Sequence, residues 1–241
     1  MENARKLFEA GKLNQAIEAL GAELRDNPSD SQRRTFLFEL LCFAGAWDRA
    51  DKQLEILAGS DPGGTKDKRL GALLYRAAIT AERTRQAKFR GEAAGNGEAP
   101  PSVAGMVNGR EFQSIEDSDP RLGARLEVLA GPDYLWIPLD QIASLTMEPP
   151  KRLRDLLWAP ATIHMVEGFE GGDLGEVLLP AISPLSAEHA DENVRLGRLT
   201  VWEQTAGGQE VPFGQKMLIA DDEEIPILEL RSLEIRRPAV N

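Results

Sequence analysis

Apolar residues in the first third of the chain fall at helical spacing, and the same pattern returns further on. Leu7 is matched by Leu41, Ala10 by Ala44, Gly11 by Gly45 and Leu13 by Trp47. Ala16 and Ala50, Leu20 and Leu54, and Pro28 and Pro62 continue the series, and every pair is 34 residues apart. The glycines stand where two antiparallel helices must turn, the alanines let those helices approach closely, and the prolines end the second helix of each unit. Helices are therefore expected at about residues 2–10, 13–26, 31–44 and 47–58, with Asp30 or Ser31 able to cap the third. A fifth helix is expected from Lys66 to Arg90. Tyr75 and Ala78 continue the series there, while Ile79 stands where a turn glycine would, so this helix runs on as a long cap.

Seven matched positions at this one period are the signature of tetratricopeptide-like repeats. Stacked helix pairs of that kind leave a concave groove lined by the first helix of each repeat. The repeat alignment puts Arg5, Phe8 and Glu9 on that face, then Gln32, Thr35 and Glu39, then Lys66, Arg69, Leu73 and Arg76. Mixed charge and apolar contact suits a bound peptide or amphipathic helix. The competing possibility is that the repeats only pack on the rest of the chain. The basic stripe Arg83, Arg85, Lys88 and Arg90 has the same two options: an acidic partner, or the protein's own acidic half.

Residues 91–109 lose all periodicity and are rich in Gly, Ala and Pro, which reads as a linker or loop. The division this gives is a helical repeat domain over 1–93, a linker over 94–110 and a strand-rich domain over 111–241. In the last of these, Leu126–Ala130 and Tyr134–Ile137 flank Gly131-Pro132-Asp133, a hairpin signal. Further strands are expected at Ser144–Met147, Thr162–Glu167, Glu176–Pro180, Leu199–Glu203, Lys216–Ala220 and Ile227–Ile235. A short helix is expected at Lys151–Leu157, and the acidic run Asp221–Glu224 reads as a turn. The fold class is α+β: helical repeats, then a mostly antiparallel sheet with short helices. Trp136, Trp158 and Trp202 lie in apolar patterns and are expected in the core. Arg121, Arg154, Asp155 and Arg198 are expected to form buried ion pairs.

Composition narrows the function classes. Hydrophobic residues make up 42% of the chain, enough for a sizeable core, and no apolar run approaches the length of a membrane span. The start of the sequence lacks the apolar core of an export signal, and a single cysteine, Cys42, allows no intrachain disulfide. A cytoplasmic setting is expected. The net charge of −11 is uneven: residues 1–93 carry about +2 and residues 94–241 carry −13. An acidic surface disfavours nucleic acid and suits either a basic partner or simple solubility.

Catalytic chemistry is sparse. His164 and His189 are not at ligand spacing and no third ligand is evident, so neither a metal nor a cofactor is expected. No Gly-x-Ser-x-Gly elbow occurs, and Gly63-Gly64-Thr65-Lys66 lacks the phosphate-loop spacing. The glycine-rich stretch Gly168–Gly175 lies between strands, not before a helix. Asp117 with Asp119, and the acids 221–224, lack the pattern of a calcium loop. Cys42 lies in an apolar helical stretch and reads as a small buried residue.

Several phrases of the second half carry a resemblance. Asp119-Pro120-Arg121-Leu122-Gly123 leads to Leu126-Glu127, and Tyr134-Leu135-Trp136-Ile137-Pro138 follows. Leu153-Arg154-Asp155-Leu156-Leu157-Trp158-Ala159-Pro160-Ala161, Gly175 to Pro180, Arg195-Leu196-Gly197-Arg198 and Ile227 to Arg231 complete the set. With the helical front, these make the chain resemble the ImpE/SciE family of type VI secretion accessory proteins. One departure is Phe112-Gln113-Ser114-Ile115, where the family often has a tryptophan. The resemblance implies a non-enzymatic adaptor that binds the N-terminal helix of the small sheath subunit TssB and the AAA+ unfoldase ClpV, assisting sheath recycling. Two other readings stay open on the residues alone. One is a generic repeat co-chaperone gripping an acidic C-terminal peptide through Lys66, Arg69 and Arg76. The other is an enzyme with its site in the second domain.

Overall fold

Two helical hairpins open the structure, and each turns on a glycine whose left-handed backbone other residues adopt only at a steric cost. The computed structural model describes residues 1–59, 66–91, 100–205 and 207–236, with side chains of the fifth helix described from Leu70 onward. The helices are α1 (Glu2–Glu9), α2 (Leu13–Asp26), α3 (Ser31–Phe43), α4 (Trp47–Gly59) and α5 (Lys66–Arg90). Gly11 has φ 76° and Gly45 φ 65°. Their hydrogen bonds are also equivalent. Gly11 N–H donates to Phe8 O and Lys12 N–H to Leu7 O, each at 2.9 Å; Gly45 N–H donates to Cys42 O at 3.0 Å and Ala46 N–H to Leu41 O at 2.9 Å. Asp30 caps α3 by accepting from Arg33 N–H at 2.9 Å. Ala16 and Ala50 are fully buried between helices, and Leu13, Leu20, Leu41 and Leu54 fill the space around them.

The remainder is strand-rich: β1 (Gly105–Val107), β2 (Arg110–Phe112), β3 (Ile115–Asp117), β4 (Arg125–Ala130), β5 (Asp133–Pro138), β6 (Ile142–Met147), β7 (Trp158–Met165) and β8 (Gly175–Pro180). After a short helix α6 (Glu192–Arg195) come β9 (Val201–Gln204), β10 (Glu210–Phe213), β11 (Met217–Ala220), β12 (Glu223–Pro226) and β13 (Ser232–Ile235). Among the described residues an eight-stranded antiparallel sheet has the order β2-β1-β13-β6-β7-β8-β4-β5. A three-stranded sheet, β12-β11-β3, and the β9–β10 hairpin complete the set. The strand β1 lies inside the stretch 94–110 that composition alone reads as a linker, and it pairs with β13 from Gly105 opposite Ile235. No described helix is long and apolar enough to cross a membrane.

One face of the large sheet is buried and the other is covered by the helices only in part, leaving Thr146, His164, Glu176 and Glu234 exposed, and the period-2 pleat assigns residues to the two faces. Leu126, Val128, Ala159, Ala161, Ile163, Val177 and Leu179 point to one face, where Ile115, Leu218, Ala220 and Ile225 of the small sheet meet them. Leu129, Trp158 and Leu178, one position out of phase, join the core of the helices. The order is thus helices, large sheet, small sheet.

Several strand expectations need adjustment. The segment Leu153–Leu156 is a single 3-10 turn, and β7 starts at Trp158 rather than Thr162. Ile227–Glu229 is a 3-10 turn too, so only Ser232–Ile235 is strand there. Of the acidic run, Asp221 and Asp222 make the turn while Glu223 and Glu224 open β12. Trp202 was expected in the core and is instead 39% exposed, on a hairpin that stands outside both large layers.

Candidate partner-binding groove

Six of the ten residues singled out by the repeat alignment line one groove. Its walls are α1 and α3, and it has a volume of about 550 Å³. Arg5, Phe8 and Glu9 come from α1, and Gln32, Thr35 and Glu39 from α3. Met1, Ser31 and Phe36 extend it, and Leu153 from the 3-10 turn of the sheet unit closes one side. The residues meet because α1 and α3 are the leading helices of successive hairpins, so one turn-by-turn face of each points the same way.

The groove has an aromatic floor and charged edges. Phe8 meets Phe36 edge-to-face, centroids 5.8 Å apart, and the Arg198 guanidinium lies 4.7 Å from the Phe8 ring centre. Thr35 donates its hydroxyl proton to Ser31 O at 2.9 Å, which leaves its methyl group toward other contacts. Glu39 is nearly buried. Burial pushes its carboxyl above the usual range, against the opposing pull of Arg154 at 3.5 Å. Glu9 and Arg5 stay exposed. The amino terminus pairs with Glu23, which also accepts from Arg33 Nε at 2.8 Å and is held below the usual carboxylate range, first by the terminal ammonium and then by Arg33.

The remaining four candidates lie elsewhere. Leu73 and Arg76 line a separate depression of about 310 Å³ with Leu54, Ala58 and Ala72, and Arg76 Nε pairs with Asp51 of α4 at 2.8 Å. The side chains of Lys66 and Arg69 lie outside the described residues. The physical reason for the split is an insertion from the sheet unit. Trp158 stacks against Trp47 at 6.5 Å and against Tyr75 at 6.3 Å, and Arg154 sits 4.5 Å from the Tyr75 ring centre. The inner face of α5 is therefore occupied by the protein's own second half, while the α1–α3 segment stays open.

The residues that sequence reasoning missed are Met1, Ser31, Phe36 and Leu153. Phe36 was discoverable, because it neighbours Thr35 on a helix facing another aromatic-bearing helix. Leu153 was not, because the repeat period carries no information about what docks on it. A third depression, of about 460 Å³, lies between Leu74 and Tyr75 of α5 and strands β6 to β8, with Glu148 and Glu176 on its lining.

Other sequence candidates have structural surroundings. Arg85, Lys88 and Arg90 of the basic stripe reach the sheet unit. Arg85 meets Glu127, Lys88 Nζ lies 3.4 Å from the Trp136 ring centre, and Arg90 Nε donates to Glu188 at 2.9 Å. Arg83 pairs with Asp48 of α4 instead. Arg121 forms the expected buried pair with Asp119. Arg154 bridges to the helices through Glu39, Asp155 accepts from the backbone of Lys151 and Arg152, and Arg198 donates to Glu9 O at 3.0 Å. His164 pairs with Asp173 at 2.9 Å and His189 with Glu203 at 3.0 Å, each away from the groove. Among the described residues no three His, Cys, Asp or Glu side chains are grouped to hold a metal ion. Cys42 is buried in the helical core, and burial pushes its thiol well above the ordinary range.

A family profile described as ImpE protein matches residues 109–234. The chain is similar, at 32% identity over 265 aligned residues, to a Pseudomonas aeruginosa protein named type VI secretion system accessory component TagJ. That alignment takes in 96% of this chain and 90% of the relative. The crystal structure of protein VPA1032 from Vibrio parahaemolyticus superposes with a TM-score of 0.85 over 98% of each chain. At 23% identity that likeness speaks for a shared fold.

Proposed function

The chain belongs to the ImpE protein family, and from that premise we propose that it is a non-enzymatic accessory component of a type VI secretion system. In this reading it is an adaptor that holds a helix of a partner protein in the α1–α3 groove. The name of its Pseudomonas aeruginosa relative supports the system. The observation that carries the mechanism is the open groove itself: an aromatic floor of Phe8 and Phe36, with Arg5, Glu9 and Gln32 at the edges. Apolar anchors at helical spacing on a partner would bury on the floor, and polar residues at the edges would set its register.

The finer parts of the proposal follow the family resemblance. The helices act as tetratricopeptide-like repeats, with the 34-residue spacing of Gly11 and Gly45 as their support. The bound helix is the N-terminal helix of the sheath subunit TssB, the second partner is the unfoldase ClpV, and the protein assists sheath recycling in the cytoplasm. Residues 1–93 and 111–241 are the two working units, joined across Trp158.

The test is a titration of the protein with a peptide spanning the N-terminal helix of the cognate sheath subunit. Binding with a Kd in the micromolar range is expected, about −8 kcal/mol. Thr35→Arg places a long cation over the aromatic floor and is expected to weaken binding at least tenfold while leaving circular dichroism unchanged. A folded protein that shows no binding at about 100 μM peptide, roughly −5.5 kcal/mol, overturns the proposal.

A further inference from the structure

The joint between the helices and the large sheet contains a closed cluster of charges. Arg85 of α5 sends Nε to Glu127 Oε1 at 2.7 Å and Nη2 to Glu127 Oε2 at 3.0 Å, and Nη2 also donates to Ile182 O at 2.9 Å. Lys216, just before β11, lies 2.5 Å from Glu127 Oε2 and 2.5 Å from Asp117 Oδ2. Glu82, one turn before Arg85, accepts from Trp158 Nε1 at 3.2 Å and from Gln86 Nε2 at 3.0 Å. Tyr134 of β5 donates its hydroxyl proton to Glu127 at 2.5 Å. All five charged side chains are buried.

The charges do not balance. Three buried carboxyl groups, Glu82, Glu127 and Asp117, face two buried cations, Arg85 and Lys216, while Lys88 acts on Glu127 from a partly exposed position. An uncompensated buried charge is costly enough that a group neutralises instead. Geometry selects which carboxyl takes the proton. Burial alone would raise Glu127, but Arg85 and Lys216 both pair with it and outweigh that, so it stays far below the usual carboxylate range. Asp117 has only a share of Lys216. Its Oδ1 accepts from Asp119 N–H at 2.9 Å, but its Oδ2 has no aligned hydrogen bond despite the nearby ammonium.

We infer that this cluster is a proton-operated fastening: one proton resides on Asp117 at the seam between α5 and the sheets, and its loss loosens that seam. The groups that face Asp117 are Lys216 from the approach to β11, Glu127 from β4 and the Asp119 backbone. Behind them stand Arg85 and Glu82 of α5 and Tyr134 of β5. Burial pushes the Asp117 carboxyl up to about 7, with Lys216 opposing and Glu127 reinforcing the rise. The folded state therefore binds this proton more tightly than the unfolded chain. The stabilisation is complete below the unfolded value of 3.8 and is lost as pH rises through about 7. The consequence reaches the groove, because its α1 and α3 walls lie on one side of this seam and its Leu153 wall lies on the other.

The experiment is urea unfolding of the full chain and of Asp117→Asn at pH values from 5 to 8.5. Asparagine imitates the protonated acid, so every other titrating group cancels in the comparison. The ratio of wild-type to variant unfolding constants is expected to rise about tenfold per pH unit up to about pH 7 and then level off. A ratio that stays constant across the range overturns the inference. Should the variant fail to fold, difference infrared spectra of the wild type between pH 6 and pH 8.5 decide the matter. A protonated-carboxyl band at pH 6 that vanishes at pH 8.5 supports the fastening, and its absence at pH 6 overturns it.

Discussion

Single residues carry the contacts by which the two halves recognise each other. Gly11 and Gly45 are the clearest case. Both have left-handed backbones, and both turn tips touch the sheet unit: a Cβ on Gly11 would meet Asn193 Oδ1 at 2.5 Å, and one on Gly45 would meet the Ala187 side chain at 2.9 Å. Conformation and close approach are thus required at the same positions. Gly45→Ala is expected to cost about 1–3 kcal/mol, read as a lowered urea midpoint with the slope unchanged. Because Glu39 and Arg154 form a largely buried pair across the same interface, the turn and the groove floor are tied to one packing arrangement.

At the scale of elements, what docks on a helix decides what that helix can do. The leading faces of α1 and α3 remain open, while the equivalent face of α5 receives Trp158 between Trp47 and Tyr75. Trp158→Ala removes that wedge and leaves Glu82 without its indole donor, so a loss of about 3–5 kcal/mol in unfolding free energy is expected from urea titrations. The helices were legible in the sequence because their period is local: Gly11 with Gly45 and Ala16 with Ala50 mark turns and close approaches wherever the chain goes next. The β4–β5 hairpin was legible for the same reason, through Gly131-Pro132-Asp133 between two short, largely apolar runs. By contrast β1, β2 and β3 have three residues each, too few to display alternation. Trp202 misled because its apolar neighbours suggest burial, whereas its hairpin lies outside the layered core. Leu73 and Arg76 followed the repeat alignment but face α4, since spacing alone does not reveal that Trp158 has taken the inner side of α5.

At the scale of the whole molecule, the large sheet is a central layer whose helical side is part of the helical core. The groove is consequently framed by two units at once: aromatic residues from the helices and Leu153 from the sheet unit. The same two units are held together by Arg85, Glu127, Lys216 and Asp117. The framing also separates the groove from the two other depressions, which flank α5 at Leu73 and at Leu74. The most direct measurement of the account is site-specific photo-crosslinking to the sheath-subunit peptide, with the photoreactive side chain placed in turn at Gln32, Leu73 and Leu74. The α1–α3 groove predicts a strong adduct from Gln32 that excess unlabelled peptide abolishes, with little from the other two. A peptide that binds yet crosslinks only from Leu73 or Leu74 would contradict it.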